Sequence, residues 1–312
     1  GTMLLGAATA AGLQARYAAT DLAEPGHRAR ALSAVVWATT VGAVLGPNLS
    51  DPAGGIARSA GLPVLAGPFV WSAMTFAAAA VLLAALLRPD PLLRARALRP
   101  LTEPPAQRLP VRAALALVVR SPVARMGLAG MAVGHAVMVA VMTMTPVHML
   151  TGGATLAGVG VVISAHVAGM YALSPLTGYL VDRLGGRPVV VLGGVVLLLA
   201  VGVVATASPH ADLVLALGLF LLGLGWSATL VAGSTLLTEG VPLPARPSAQ
   251  GVADLVMGLA GASAGAAAGV VMGLAGYPVL ALAAGATVLP LLLVVLTGSA
   301  YVPRPRRWPG KR

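Results

Sequence analysis

The sequence predicts an all-α, polytopic transmembrane helical bundle, and three observations carry that prediction. Hydrophobic residues make up 58% of the 312 residues and charged residues only 9%. The resulting mean hydropathy of +0.90 lies far above that of a soluble domain. Several apolar runs exceed the roughly 18 to 20 residues a helix needs to cross a bilayer. The basic residues, finally, fall on one side of the map that those runs define.

Taken in order, the apolar periodic stretches give about nine spans, near residues 1–22, 30–50, 64–87, 123–148, 153–180, 188–207, 211–237, 249–273 and 277–298. The longest polar interruption, Arg88 to Arg112, holds Arg88, Arg94, Arg96, Arg99, Arg108 and Arg112 among six prolines. It reads as a stiffened basic linker on the membrane surface. The chain is therefore expected to comprise residues 1–87 with three spans, the linker 88–112, a six-span part 113–303 and a basic tail 304–312.

If the spans alternate, one side collects Arg28, Arg30, the linker, Arg120, Arg125, Arg183, Arg187, Arg246 and the tail with Arg304, Arg306, Arg307, Lys311 and Arg312. Only Arg58 lies in an opposite loop, and Arg16, within the first span, is expected to snorkel. The positive-inside rule then puts the linker and C-terminus in the cytoplasm. Arginine supplies nearly all the basic charge, with lysine only at Lys311, which fits a GC-rich bacterial genome and hence a bacterial plasma membrane. Residue Gly1 is no initiator methionine and already sits in an apolar helix, so further helices are expected before it.

Several function classes find no support. The net charge of +11 is not a basic patch interleaved with aromatics, so nucleic acid is not expected as a partner. Cysteine is absent, which excludes disulfides and thiolate metal sites. There is no phosphate loop, no His-Glu-x-x-His and no serine elbow, so neither an enzyme nor ATP-driven transport is expected, and no cofactor or metal.

The ten residues from Gly178 to Arg187 pack one acid and two arginines into a tight turn between two apolar runs. Glycines Gly178 and Gly185 permit close approach and tight turning. Asp182, at a helix end, can accept from helix N-terminal amides or pair with an arginine. Gly178, Asp182, Arg183, Gly185 and Arg187 resemble the loop signature G-x-x-x-D-R-x-G-R-R of the major facilitator superfamily, with Gly186 in place of a basic residue. In that family the signature joins helices 2 and 3 and recurs between helices 8 and 9. Counted back from the C-terminus, this copy has the second position, so the chain resembles helices 4 to 12 of a twelve-helix transporter.

A second resemblance lies in Gly42-Ala43-Val44-Leu45-Gly46-Pro47, similar to the G-x-x-x-G-P element on helix 5 of proton-coupled drug antiporters. The family pattern continues with two glycines further on, where this chain has Asn48, Leu49, Ser50 and Asp51. The resemblance implies an alternating-access secondary transporter, acting as a monomer on a small molecule and protons within the lipid bilayer. Proton-coupled efflux of small amphipathic compounds is the first expectation. Uptake by symport, or a non-transporting membrane fragment or interaction protein, is the alternative.

Pseudo-symmetry of the two halves predicts that Asp182 meets the start of the span at 30, near Arg28 or Arg30, as a gating contact; pinning the loop to the interface is the plainer role. Asp254 is the one carboxylate well inside a span, expected six residues beyond an N-cap at Ser248. An intramembrane acid is a candidate proton carrier, although hydrogen bonding to nearby backbone would also account for it. Its helical face continues through Gly258, Gly261 and Gly265, with Gly269 and Gly273 beyond. His135 and His166 are further candidates for proton coupling. Met131, Met138, Met142 and Met149 share a face with His135, and packing, a pliable substrate pocket or a soft-metal relay are open to them. Gln14, Trp37, Tyr171 and Trp226 complete the candidate cavity with Met138 and Met142. Arg16 with Asp21 resembles the polar end of helix 4, whose partner acid in the family belongs to the first loop signature.

Overall fold

The computed structural model describes residues 12, 15–48, 50–63, 66–97 and 109–297. Every described element is helical, as the composition requires of a chain whose backbone must satisfy its own hydrogen bonds in lipid. After a helical stretch at 15–21 and a short turn, the helices are α1 (Arg28–Asn48), α2 (Ser50–Ser59), α3 (Gly67–Leu86), α4 (Pro91–Ala97), α5 (Val111–Arg120) and α6 (Pro122–Thr151). They continue with α7 (Leu156–Tyr171), α8 (Ser174–Leu184), α9 (Gly186–Thr206), α10 (Asp212–Glu239), α11 (Arg246–Ala286) and α12 (Val288–Thr297).

Six stretches among the described residues are long and apolar enough to cross a membrane: 67–95, 122–151, 158–184, 186–206, 212–239 and 243–297. The last has 55 residues, about 80 Å of helix at 1.5 Å per residue, against a hydrocarbon core of about 30 Å. It is broken at Gly276, whose φ of 81° and ψ of 172° are not helical, and so holds two crossings. With α1 this makes eight apolar segments. The remaining expected span, 1–22, lies largely outside the described residues, as do residues 98–108 of the linker and the whole tail 304–312.

Two details depart from the sequence reading. The stretch 153–180 is two helices, α7 and α8, separated at Ala172 and Leu173. Residues 111–120 form an amphipathic helix that buries Ala114 and Val118, one turn apart, where the sequence reading placed no element between the end of the linker at Arg112 and the span at 123.

The chain divides into two compact units, Gly1–Trp37 with Pro104–Arg312, and Ala38–Glu103. In the smaller unit α2 and α3 pack together, with Gly67 seated against the backbone of Ala53. In the larger unit α10 is the central element, burying Leu215, Leu219, Leu222, Leu230 and Leu237. Its three most extensive neighbours, α6, α7 and α9, each approach it at glycine. A Cβ on Gly233 would stand 2.6 Å from the Gly127 carbonyl of α6, one on Gly223 2.7 Å from the Met170 amide of α7, and one on Gly225 3.0 Å from the Gly193 carbonyl of α9. These small residues let backbones come close enough for van der Waals packing to hold helices together in lipid, where the hydrophobic effect does not. α11 packs against α6.

Candidate functional site

The loop signature forms one site in which each residue has a distinct task. A Cβ on Gly178 would collide with the Ser33 hydroxyl and lie 2.7 Å from the Ala29 carbonyl, so glycine lets α8 lie against the first turns of α1. The Ser174 hydroxyl donates to the Ser33 carbonyl at 3.1 Å, one turn earlier on α8. The Asp182 carboxylate accepts from the backbone N–H of Ala29 at 3.1 Å, from that of Arg30 at 3.2 Å, and from Arg30 Nε at 2.9 Å. It thus supplies acceptors to amides that the first turn of a helix leaves free, where the helix dipole also favours negative charge.

Gly185 ends α8 with φ 89° and ψ 161°, a conformation open essentially only to glycine. The Arg183 guanidinium lies 5.2 Å from the centre of the Tyr179 ring, and Arg187 donates to the Leu296 carbonyl of α12 at 2.9 Å. The departure at Gly186 also has a cause. Its Cβ would stand 2.6 Å from Leu236 Cγ and 3.2 Å from the Ala232 carbonyl, leaving no room for a basic side chain. Glu239, at the end of α10, interacts electrostatically with Arg28, Arg246 and Asp182, and nothing in its sequence context marked it out.

A second site lies deeper. Arg16 donates to Asp254 Oδ1 at 2.8 Å, the two side chains being 4% and 13% exposed. The same guanidinium nitrogen donates to the Tyr17 hydroxyl at 3.2 Å, with the guanidinium carbon 4.8 Å from the centre of the Tyr17 ring. The snorkelling expected of Arg16 is therefore corrected, since an acid 238 positions away holds it inside. Ser248 is likewise not the N-cap of the Asp254 helix. The helix starts at Arg246 after a 3-10 turn over Leu243–Ala245, and the Ser248 hydroxyl accepts from the Leu109 amide instead. Asp254 is thus eight residues in, about 12 Å along the axis.

Two turns beyond Asp254, a Cβ on Gly261 would stand 2.8 Å from His135 Nε2, and one on Gly265 3.4 Å from Val139. Gly258, Gly269 and Gly273 face open space. His135 Nδ1 accepts from the Trp226 indole N–H at 3.1 Å, and Trp226 meets Tyr171 edge-on at 5.9 Å between centroids. A hydrogen bond and ring contacts thus link His135, Trp226 and Tyr171, and Gly261 of the Asp254 helix packs against His135.

The remaining candidates lie apart. His166 is fully buried, bridging to the Leu219 carbonyl at 2.9 Å, which ties α7 to α10. Met131, Met138 and Met149 are buried core residues, Ser234 donating to Met131 Sδ at 3.2 Å, while Met142 is half-buried. Trp37 is 46% exposed. Gly42, Gly46 and Pro47 lie in α1, where a Cβ on Gly42 would meet open space. Gln14 falls outside the described residues.

The comparisons agree with this architecture. A model of the Major Facilitator Superfamily matches residues 149–312. The MFS-type transporter YdeG of Bacillus subtilis is 41% identical over 94% of this chain and 67% of its own length. YddS of the same organism is 39% identical over 94% and 67%. The riboflavin transporter RfnT of Brucella anthropi is 28% identical over 78% of this chain and 57% of its own. From the loop signature, the helical bundle and these relatives together, the chain belongs to the major facilitator superfamily of membrane transporters.

Proposed function

We propose that the protein moves small amphipathic compounds across a bacterial plasma membrane by alternating access, driven by protons that bind at Asp254. The observation that carries this reading is the buried pair of Arg16 and Asp254. A guanidinium is the partner that compensates a carboxylate charge at such depth. Any motion that separates the two, or wets one of them, changes the acid's affinity for a proton. Such a group converts a conformational change into proton uptake or release, which is what coupling requires. The charge of Arg16 reaches His135, and the linked rings of His135, Trp226 and Tyr171 are the groups assigned to an apolar solute.

The Asp182 contacts act as the gate at the cytoplasmic end. They are made only while α8 lies on the start of α1, so they stabilise one state of the alternating cycle. The linker and tail lie on the same cytoplasmic side, and the protein works as a monomer without chemical change to its solute.

Efflux by proton exchange rests on the helix 5 element, which departs from the antiporter pattern after Pro47. Proton symport is a second reading, favoured by the same ion pair. When Asp254 takes a proton, buried Arg16 loses its counter-charge, and a co-bound anion is the natural replacement. The name of RfnT brings planar heteroaromatic compounds into the range of solutes to test. Proteoliposomes under an imposed pH gradient, assayed with riboflavin and with aromatic carboxylates, separate the two. Exchange accumulates solute in the acidic compartment and symport in the alkaline one. Solute movement indifferent to the gradient contradicts proton coupling.

A further inference from the structure

We infer that the transported solute carries a carboxylate or an equivalent planar oxyanion, which takes the place of Asp254 on Arg16 when Asp254 is protonated. The inference rests on Asp254 being the proton site and on the symport reading, and it names the solute class that such a site demands.

The residue Arg16 is 3% exposed, and arginine is a cation with five N–H donors and no acceptor. Among the described residues Asp254 is the one carboxylate within ion-pair distance of it. Asp21 lies five positions further along the same helix. Tyr17 contributes only a neutral hydroxyl. On α6 the neighbouring titratable group is His135, on which the charge of Arg16 acts; protonating it would add a second positive charge. Glu239 on α10 interacts with Arg28, Arg246 and Asp182. A proton on Asp254 therefore leaves a buried cation without compensation, and a second anion restores neutrality.

Geometry points the same way. Asp254 uses one oxygen on one guanidinium nitrogen, so the fork is not filled. Arg16 Nε is buried and finds no acceptor among the described residues. A planar oxyanion spanning Nε and a terminal nitrogen would satisfy both in the bidentate arrangement that arginine prefers. The Asp254 side chain is more exposed than that of Arg16, 13% against 4%. The linked rings of His135, Trp226 and Tyr171 are assigned to the apolar body of the solute. Charge balances: the resting site holds one cation and one anion. The loaded site holds the same cation, the solute anion and a neutral acid, so one proton enters with each anion and moves in the same direction.

The test uses the purified full chain in lipid nanodiscs, with 2-naphthoate, 2-naphthylmethanol and 2-naphthylmethylammonium as probes of one shape and three charges. In the wild type the carboxylate is expected to bind in preference to the other two. Calorimetry in buffers of different ionisation enthalpy should show about one proton taken up per anion bound. Asp254→Asn, which mimics the protonated acid, should bind the carboxylate about tenfold more tightly or better, and Arg16→Gln should lose it. Preference for the ammonium, or carboxylate binding unaffected by Arg16→Gln, overturns the inference. So does failure of the carboxylate to bind either wild type or Asp254→Asn. Tight binding through Arg16 without proton uptake upholds the anion site and refutes Asp254 as the proton carrier. Should Asp254→Asn not fold, the wild-type charge preference and proton count decide alone.

Discussion

Replacing Asp182 by asparagine should loosen the contact between α8 and α1 by a calculable amount. The carboxylate accepts three hydrogen bonds, two from Arg30 and one from the Ala29 amide. Asparagine keeps one oxygen, enough for Ala29, but turns an N–H toward the donors of Arg30. Loss of a helix-capping acceptor costs about 1 kcal/mol. The ion pair adds less than about 1 kcal/mol, because Arg30 is 46% exposed and solvent screens it. A total of about 1 to 2 kcal/mol raises the open population roughly 5- to 30-fold. The chain contains no cysteine, so Ser33→Cys provides a single thiol at a fully buried position in this contact. Its rate of maleimide labelling in nanodiscs follows the fraction of time the contact is open. The rate in Asp182→Asn should exceed that in the Ser33→Cys parent by the same factor. An unchanged rate would mean that Asp182 contributes nothing to holding this end shut, and the gating account would fail.

Three further outcomes are expected. Gly185→Ala forces a side chain into a backbone conformation that glycine alone tolerates, and should destabilise by about 1 to 3 kcal/mol, read as a lower unfolding temperature in detergent. Gly233→Ala places a methyl 2.6 Å from the Gly127 carbonyl and should cost about 1 to 3 kcal/mol by forcing α6 and α10 apart, measured the same way. Trp226→Phe removes the N–H that His135 accepts. It should change stability by only about 1 kcal/mol yet weaken solute binding, whereas a purely structural tryptophan would leave binding unaltered.

The loop site was largely legible because its information is local. Glycine at a helix end and an acid at a turn state their geometry within ten residues, and the pseudo-symmetry of the family indicates where the acid points. The α6, α7 and α10 contacts were legible only as scattered glycines, since pairing Gly127 with Gly233 needs the helix register. The Arg16 and Asp254 pair was hidden for a different reason. No pattern links positions 238 apart, and each residue alone had a reasonable local account, snorkelling for one and backbone hydrogen bonding for the other. Ser248 misled because a serine near a helix start is a good cap by propensity, while the preceding 3-10 turn moved the cap three residues back, to Ala245. His166 and Met131 looked like Trp226 in sequence, polar or soft groups at membrane depth. Contacts separate them: His166 is spent on a carbonyl of α10, whereas Trp226 turns its donor toward His135.

The most direct test of proton-driven transport through Asp254 is proton movement recorded together with solute flux. Proteoliposomes of wild type and Asp254→Asn, loaded with a pH-sensitive dye, are given the same solute gradient. The account predicts that solute entry shifts internal pH in the wild type, and that Asp254→Asn exchanges solute across the membrane with no pH change. An equal pH change in both proteins, or solute flux without proton movement in the wild type, would contradict it.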